Sequence, residues 1–293
     1  MAARREPPFA LSVDVEDYFQ VQAFADRVSR EDWPRFPPRV EENVARLLDL
    51  FDESGAKGTF FILGWIARRH PALVRQVADR GHEVASHGVT HRMISELTPA
   101  EFRAEAVDSR LILEDLAGSP VIGFRAPSYS INRDTLWALE VLRDTGYAYD
   151  SSVYPIRRGR YGYPEGPVAP ARISAGKRDI AEFPLPTIPL GPVRIPVLAG
   201  AYLRLLPAWV SLAAVGYHRR LGLPLVVNVH PWEIDPNQPS VGFSRLSKWT
   251  HYARLDRTED ILRRVLGSGR FAPLAKRLSE LGILDAPSGN GAP

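Results

Sequence analysis

The sequence of 293 residues contains no cysteine, only 2 methionines and only 7 histidines. Without cysteine the chain can form no disulfide framework, no thiolate metal site and no thiol nucleophile. Any metal ion that it binds must therefore be held by histidine and carboxylate side chains. Its basic residues, 37 against 34 acidic ones, form no stripe with interleaved aromatic residues, so we expect no nucleic-acid partner.

Long apolar runs are also missing. Residues 1–8 are charged and contain proline, and Asp14 interrupts the apolar stretch that follows, so no signal peptide is predicted. The largely apolar stretch 195–217 contains Arg204 and two prolines, and it includes no uncharged run of about 18 residues. We therefore predict no membrane span and a cytoplasmic protein. The composition, 45% hydrophobic and 24% charged residues, is typical of a globular domain.

Segments typical of strands and of helices alternate along the chain. Helical spacing separates the strands, and Thr98 with Glu101 forms a capping-box pattern at the start of one helix. This alternation predicts βαβ units and a parallel sheet or barrel. Residues 151–200, rich in proline and glycine, break the pattern and predict an irregular insertion with a small hairpin. The predicted strands are 9–15, 58–63, 83–86, 121–125, 147–150 and 223–230.

Polar side chains follow five of the predicted strands. The carboxyl ends of the strands of a parallel barrel face a common centre. Because burying acids at the end of strand 9–15 is costly unless they are paired or coordinated, we expect them to have a functional role. Two of the histidines are four residues apart, a spacing that puts both imidazoles on one side of a helical turn. The polar residues are Asp14 with Glu16 and Asp17, His87 with His91, Arg125, Asp150 and His230.

This set of side chains is suited to metal-assisted acid–base chemistry. One carboxylate and two histidines with open positions suit Zn²⁺ or a neighbouring divalent ion. A second carboxylate could take a proton from water, and a separate histidine could give one to a leaving group.

The same residues resemble the ordered motifs of the NodB-type polysaccharide deacetylases, carbohydrate esterase family 4. Residues 228–233 and 247–252 also resemble a C-terminal extension found in deacetylases associated with exosortase and exopolysaccharide loci. The resemblance implies an α/β fold, a distorted (β/α) barrel, over residues 1–235, with the extension over 236–286 packed on it. We expect residues 287–293 to form a disordered tail. The stretches that carry the resemblance are 13–17, 87–91, 124–129, Asp150 and 229–231.

The resemblance implies a hydrolase that removes acetyl groups from N-acetylhexosamine units of an oligo- or polysaccharide. In that reaction Asp14 would be the general base, and Arg125 would orient it with its bidentate fork. His230 would be the general acid, and Asp150 would orient its imidazole. Because His230 must be protonated while Asp14 is ionised, a bell-shaped pH profile is expected.

The resemblance also implies a divalent metal, Zn²⁺ before Co²⁺ or Ni²⁺, with His87 and His91 as ligands. The family motif has two adjacent aspartates, whereas here Asp14 is separated from the pair Glu16 and Asp17. Either acid of that pair could be the third ligand. Glu16 is favoured because it lies two residues beyond Asp14 and shares its strand face.

Three residues are predicted to contact the substrate. The backbone N–H of Ser128 could serve an oxyanion, and Tyr129 and Trp232 could stack on sugar rings. Gly88 stands where the family usually has a hydroxyl residue after the first histidine, which removes a side-chain hydrogen bond from that loop.

Other functions remain as alternatives. A metal-dependent amidohydrolase of small cyclic imides or ureides would need the same groups. The separation of Asp14 from Glu16 and Asp17 favours it somewhat. A catalytically silent carbohydrate-binding module would be expected to lack a catalytic group, and none of the set is missing. A non-haem iron oxygenase also uses two histidines and a carboxylate, but its fold is not an alternating βα chain.

Overall fold

The computed structural model of the protein describes residues 9–158, 161–241 and 250–284. Its centre is a nine-stranded sheet that curls into a half barrel, with the order β10-β1-β2-β3-β4-β5-β7-β6 and with β11 also paired to β1. The predicted α/β fold of the distorted barrel type is thus confirmed. The strands are β1 Phe9–Val15, β2 Thr59–Ile62, β3 Glu83–Ser86, β4 Gly123–Phe124, β5 Tyr149–Asp150, β6 Ala171–Ala175, β7 Arg178–Glu182, β8 Thr187–Leu190, β9 Val193–Pro196, β10 Leu225–Val229 and β11 Phe271–Ala272.

Helices connect most of the parallel strands. Thr98 and Glu101 form the predicted capping box at the start of the longest described helix, and Gly118, with φ of +63°, ends it. No helix within the described ranges is both long and apolar enough to cross a membrane. The helices are α1 Val40–Ser54, α2 Gly64–Arg69, α3 Pro71–Asp79, α4 Pro99–Ala117, α5 Trp137–Asp144, α6 Ala201–Leu205, α7 Ala208–Leu221, α8 Leu255–Leu266 and α9 Leu274–Glu280.

Strand β1 lies between β10 and β2, next to one end of the sheet, and is buried along its whole length. Side chains alternate between the two faces of a strand. Leu11 and Val13 join the large core that includes the helices, whereas Ala10 packs with Phe61 on the other face. The same alternation puts Asp14 on the face of Ala10, inside the curl of the sheet.

The segment 151–200 is more regular than predicted. Strands β6 and β7 form one antiparallel hairpin, and β8 and β9 form a second. Strand β7 also pairs in parallel with β5, with Glu182 opposite Asp150, so the first hairpin extends the main sheet. The segment therefore contains a hairpin, as predicted, but it contains two, and a long-range strand pairing joins the first of them to the main sheet.

The C-terminal residues pack on the sheet and its helices. Leu262 and Val265 of α8 belong to the same core as β1. Strand β11 pairs with the start of β1, Phe9 opposite Phe271. The predicted disordered tail, 287–293, and the motif residues 247–249 lie outside the described residues.

Candidate active site

A pocket of about 200 Å³ opens where β1, β3 and β10 end. Residues that follow these strands form its floor, and a wall of tyrosines comes from segments further along the chain. Its lining includes Asp14, Glu16, His87, His91, Ser128, Tyr129, Tyr154, Tyr161, Tyr202, His230 and Trp232.

Glu16, His87 and His91 form a buried cluster on the pocket floor. One ligand atom from each residue lies within 4.8 Å of the others, and Oε2 of Glu16 is 2.8 Å from Nε2 of His91. Nδ1 of His87 lies 2.8 Å from the carbonyl oxygen of Arg125, so its N–H is used there and Nε2 keeps its lone pair. Burial lowers the pKa of His87 to about 4, which keeps the imidazole neutral at pH 7. Two imidazoles and a carboxylate fit a divalent cation with open positions.

Asp17 lies away from this cluster. Its carboxylate accepts hydrogen bonds from the backbone N–H groups of Arg39 at 2.8 Å and Val40 at 3.1 Å, at the start of α1. It also accepts one from the N–H of Tyr18 at 2.9 Å. The structure therefore brings Glu16, and not Asp17, to the two histidines.

The loop between the histidines is not the helical turn that their spacing suggested. Gly88 has φ of +75° and His91 has φ of +55°. The carboxylate of Glu105 in α4 accepts hydrogen bonds from the N–H groups of Val89 at 3.0 Å and Thr90 at 3.2 Å, and from the Thr90 hydroxyl. These bonds steady the loop, so the glycine at 88 does not leave it unsupported.

Arg125 is fully buried and meets Asp14 on the pocket floor. Its Nη1 donates to Asp14 Oδ1 at 2.7 Å, to Asn228 Oδ1 at 2.7 Å and to Ser12 Oγ at 2.8 Å. Its other two nitrogens donate to the hydroxyl and the carbonyl of Ser151. Arg125 therefore contacts Asp14 through one nitrogen, and the predicted bidentate contact was wrong.

Asp14 is held in its ionised form. Burial opposes ionisation, but the positive charges of Arg125 and His230 help to lower the pKa of Asp14 to about 2. Its Oδ2 accepts hydrogen bonds from Asn228 at 3.0 Å and from the Tyr129 hydroxyl at 3.2 Å. Asn228 is a site residue that the sequence prediction missed, although its position two residues before His230 puts both on one strand face.

His230 is held by Glu233, which the sequence prediction also missed. Oε2 of Glu233 lies 2.9 Å from His230 Nδ1 and accepts the backbone N–H of His230 at 3.1 Å. Nε2 of His230 lies 3.7 Å from Asp14 Oδ2 and 3.5 Å from Glu16 Oε1. Burial lowers the pKa of His230, but Glu233 and the two acids outweigh burial and raise it to about 9. The spacing His-x-x-Glu at a helical turn is a capping-box signal that could have identified Glu233.

Asp150 is not beside His230. It accepts hydrogen bonds from the hydroxyl of Ser152 at 2.7 Å and from its N–H at 3.0 Å. Burial raises the pKa of Asp150 and, with the charge of Asp150 added, raises that of Glu182 on the neighbouring strand. Glu233 occupies the place beside His230 that was predicted for Asp150.

The three predicted substrate residues all line the pocket. Ser128 and Tyr129 both have φ of +54°, a conformation that is uncommon outside glycine and often stored at functional sites. The indole of Trp232 already contacts other side chains of the protein. It stacks on His230 and His251, and its Nε1 donates to Glu16 Oε1 at 3.2 Å. The tyrosines at 154, 161 and 202 add aromatic surface that the sequence prediction did not include.

The fold and the site define an α/β protein with a buried His–His–carboxylate cluster and an Asp–Arg pair at the carboxyl edge of a curled parallel sheet. Residues 31–149 match the family model for polysaccharide deacetylase, and residues 151–279 match a domain of unknown function (DUF3473). Residues 31–149 thus correspond to a polysaccharide deacetylase domain of the NodB type.

Curated relatives match the same part of the chain. A peptidoglycan deacetylase-like protein of Gibberella zeae is 36% identical over 113 residues, 38% of this chain and 32% of its own length. A chitooligosaccharide deacetylase of Bradyrhizobium is 32% identical over 109 residues, 37% of this chain and 47% of its own length. The chain thus spans between about a third and a half of these relatives.

Solved structures share the fold over nearly the whole chain. A candidate polysaccharide deacetylase from Mycobacterium smegmatis is 23% identical with a TM-score of 0.61, covering 96% of this chain and 93% of that one. A pseudoenzyme of carbohydrate esterase family 4 from Bacillus anthracis is 14% identical with a TM-score of 0.50, covering 94% and 66%. Because that neighbour is described as a pseudoenzyme, activity must be argued from the site residues and not from the fold.

Proposed function

We propose that this protein is a metal-dependent N-deacetylase that hydrolyses the acetamide of N-acetylhexosamine units in an oligo- or polysaccharide. The observation that carries the proposal is the juxtaposition of three groups in one pocket. They are the cluster of Glu16, His87 and His91, the ionised carboxylate of Asp14, and the protonated imidazole of His230. The match of residues 31–149 to the polysaccharide deacetylase model and the names of the relatives support acetamide as the bond.

Glu16, His87 and His91 would hold the metal, and the chemistry of the donors favours Zn²⁺, with Co²⁺ or Ni²⁺ as alternatives. A divalent cation bound there would polarise the acetamide carbonyl as a Lewis acid. The indole of Trp232 donates to Oε1 of Glu16, which leaves Oε2 directed at His91. Outer hydrogen bonds of this kind orient metal ligands.

Asp14 and His230 would move the protons. Asp14, fixed by Arg125 and Asn228, would take a proton from the water that attacks the carbonyl carbon. His230, fixed by Glu233 on Nδ1, would give its Nε2 proton to the leaving nitrogen. The C–N bond then breaks, and the products are acetate and a free amine on the sugar.

The walls of the pocket favour a carbohydrate over a small polar ligand. Tyr154 stacks near-parallel to Tyr161 at 6.3 Å and packs edge-on against Tyr129 at 5.6 Å. Aromatic surfaces with hydroxyl groups at their edges suit sugar rings, which present both apolar faces and polar rims.

Acetate release tests the proposal. We expect metal-free protein to be inactive on N-acetylglucosamine oligomers and Zn²⁺ or Co²⁺ to restore release. Asp14→Asn should lower the rate by about 10²- to 10⁴-fold, the usual contribution of a general base, and should still bind the metal. His91→Asn should lose metal binding, whereas His70→Asn, a matched change outside the pocket, should keep it.

Two results would contradict the proposal. Metal binding at Glu16, His87 and His91 without acetate release from any sugar would favour the amidohydrolase of cyclic imides or ureides, to be assayed next. Absence of metal binding would favour a silent carbohydrate-binding module.

A role in exopolysaccharide biosynthesis, on lipid-linked precursors in the cytoplasm, is a further part of the proposal. The resemblance of residues 228–233 and 247–252 to the exopolysaccharide-associated deacetylases supports it. Cell fractionation tests the location, and native protein found only outside the cytoplasmic membrane would refute it.

A further inference from the structure

One buried arginine connects the C-terminal region with the predicted general acid. Arg204 lies in α6 and Glu233 in the turn after β10, and each side chain is only 1% exposed. Glu233 holds His230 with one carboxylate oxygen, and its other oxygen, Oε1, lies 3.2 Å from Nε of Arg204. Both oxygens of this carboxylate are therefore fixed.

The remaining nitrogens of Arg204 bind the backbone of the segment that precedes α8. Nη1 donates to the carbonyl oxygen of Ala253, and Nη2 donates to that of Thr250 at 3.0 Å. The planar guanidinium can serve three acceptors in fixed directions, which the single ammonium group of lysine cannot reproduce. Residues 250–253 therefore set the direction in which Arg204 meets Glu233.

The same segment makes a second contact with the site. The ring of His251 stacks on Trp232 with centroids 4.3 Å apart and an interplanar angle of 19°. Trp232 in turn donates from Nε1 to Glu16 Oε1 at 3.2 Å. Residues 250–253 thus contact Arg204, which pairs with the partner of the predicted proton donor. They also contact Trp232, which donates to a predicted metal ligand.

We propose that Arg204 is a positioning residue for His230, acting through Glu233, and that residues 250–253 complete the active site by holding Arg204. The proposal rests on the proposed deacetylase function, which gives His230 the role of proton donor. A carboxylate paired at both oxygens cannot rotate, so Nε2 of His230 stays directed into the pocket. Because these residues lie within 151–279, the region matched to the domain of unknown function gains a role in the reaction.

Steady-state kinetics on the full-length, Zn²⁺-loaded protein test the proposal. Arg204→Lys keeps the charge but cannot reach all three acceptors. We expect kcat to fall about 10- to 100-fold, the usual cost of losing an outer partner, with KM changed less than about 3-fold and metal content unchanged. Arg254→Lys is the matched control, because Nη1 of Arg254 also joins this region to α6, at the Leu205 carbonyl, without contacting Glu233. It should keep the wild-type kcat.

A double variant tests whether Arg204 acts through Glu233. The loss of kcat in Arg204→Lys with Glu233→Gln should be no larger than in Glu233→Gln alone. If Arg204→Lys does not fold, the double variant Arg204→Gln with Glu233→Gln is used in its place. Removing both charges of the buried pair leaves neither of them unpaired. Additive losses, a wild-type kcat in Arg204→Lys, or equal losses in Arg204→Lys and Arg254→Lys would overturn the proposal.

Proton NMR gives a readout that does not need catalysis. The proton that His230 Nδ1 shares with a buried carboxylate should give a downfield signal that is lost in His230→Gln. Arg204→Lys should shift this signal and Arg254→Lys should leave it in place. If the wild-type protein releases no acetate but shows this response, the deacetylase function is refuted and the positioning role stands. An unchanged signal in Arg204→Lys would overturn the positioning role itself.

Discussion

Glu16 and Asp17 are adjacent in the sequence and have different tasks in the structure. Glu16 lies one strand period beyond Asp14, so the two carboxylates face the same pocket. Asp17 points the other way and accepts the backbone N–H groups at the start of α1. The strand period was enough to favour Glu16 from the sequence. The helix contact of Asp17 involves residues more than twenty positions away, which no local pattern indicates.

Separate substitutions of these acids should separate metal binding from stability. Glu16→Gln should weaken Zn²⁺ binding by at least about 100-fold, because the cluster loses its charged ligand. Asp17→Ala should keep Zn²⁺ affinity within about 3-fold and lose about 1–3 kcal/mol of unfolding free energy, because two helix N–H groups lose their acceptor. Calorimetric titration with Zn²⁺ and urea unfolding measure the two effects. Loss of Zn²⁺ binding in a folded Asp17→Ala protein would show that our assignment of Glu16 is incomplete.

Other site residues show where sequence reasoning stopped. Asp14, Arg125, His87 and His230 could be selected because each follows a predicted strand and the strand ends converge. Glu233 was missed because it lies beyond the strand end, in the next turn, from which it contacts His230. Asp150 was misplaced for the opposite reason: it does end a strand, but β5 is far enough along the sheet that its carboxylate meets Ser152 and not His230.

At the scale of elements, α4 does more than cover the sheet. Its residue Glu105 accepts three hydrogen bonds from Val89 and Thr90, in the loop between the two metal-binding candidates. The helix therefore fixes a loop whose backbone includes two left-handed residues, Gly88 and His91. A single carboxylate replaces the local hydroxyl contact that a glycine at 88 cannot supply.

Glu105→Gln should weaken the site without removing a ligand. The glutamine side chain has only one acceptor oxygen for the N–H groups of Val89 and Thr90 and the Thr90 hydroxyl. We therefore expect Zn²⁺ affinity to fall about 10-fold. Glu101→Gln, on the same helix but in the capping box, is the control and should leave the affinity unchanged. Equal Zn²⁺ affinities for Glu105→Gln and wild type would mean that the loop keeps its shape without α4.

The bounds of a strand could be predicted where residues close in the sequence determine them. Strands 9–15 and 83–86 were predicted with the observed bounds, because apolar residues followed by polar groups define them. The pairing of β7 with β5 was not predictable in this way. It joins residues 149–150 to 181–182 and depends on contacts that only the folded sheet provides.

At the scale of the whole molecule, stability should depend on pH through a histidine remote from the pocket. His82 precedes β3 at the end opposite the site, and Gly58 donates its N–H to Nδ1 at 3.1 Å. Nε2 therefore carries the proton, and it has no hydrogen-bond partner among the described residues. Burial, with the charge of Lys57 added, lowers the pKa of His82 to about 4.

Because this folded-state pKa lies below the ordinary value of 6.5, the unfolded chain binds the proton first as pH falls. The stabilisation from neutral His82 should be complete above pH 6.5 and should be lost as pH falls from 6.5 to 4. Urea unfolding at pH 7 and pH 5 measures it, and His82→Gln, which keeps an acceptor for Gly58, should show a smaller difference between the two pH values. The same difference in both proteins would assign the pH dependence to other groups.

The position of β1 between β2 and β10 has a consequence for the order in which a ribosome produces the parts of the site. Strand β2, on one edge of β1, is complete early, whereas β10, on its other edge, follows about 170 residues later, which at typical elongation speeds is roughly 10 to 30 s. Once Arg125 has been added, the nascent chain holds Asp14 and both candidate metal-binding histidines, but it still lacks His230, the predicted proton donor, and strand β10. The residues proposed to bind the cation are therefore made first, and the proposed hydrolysis must wait until His230 and β10 have been synthesised.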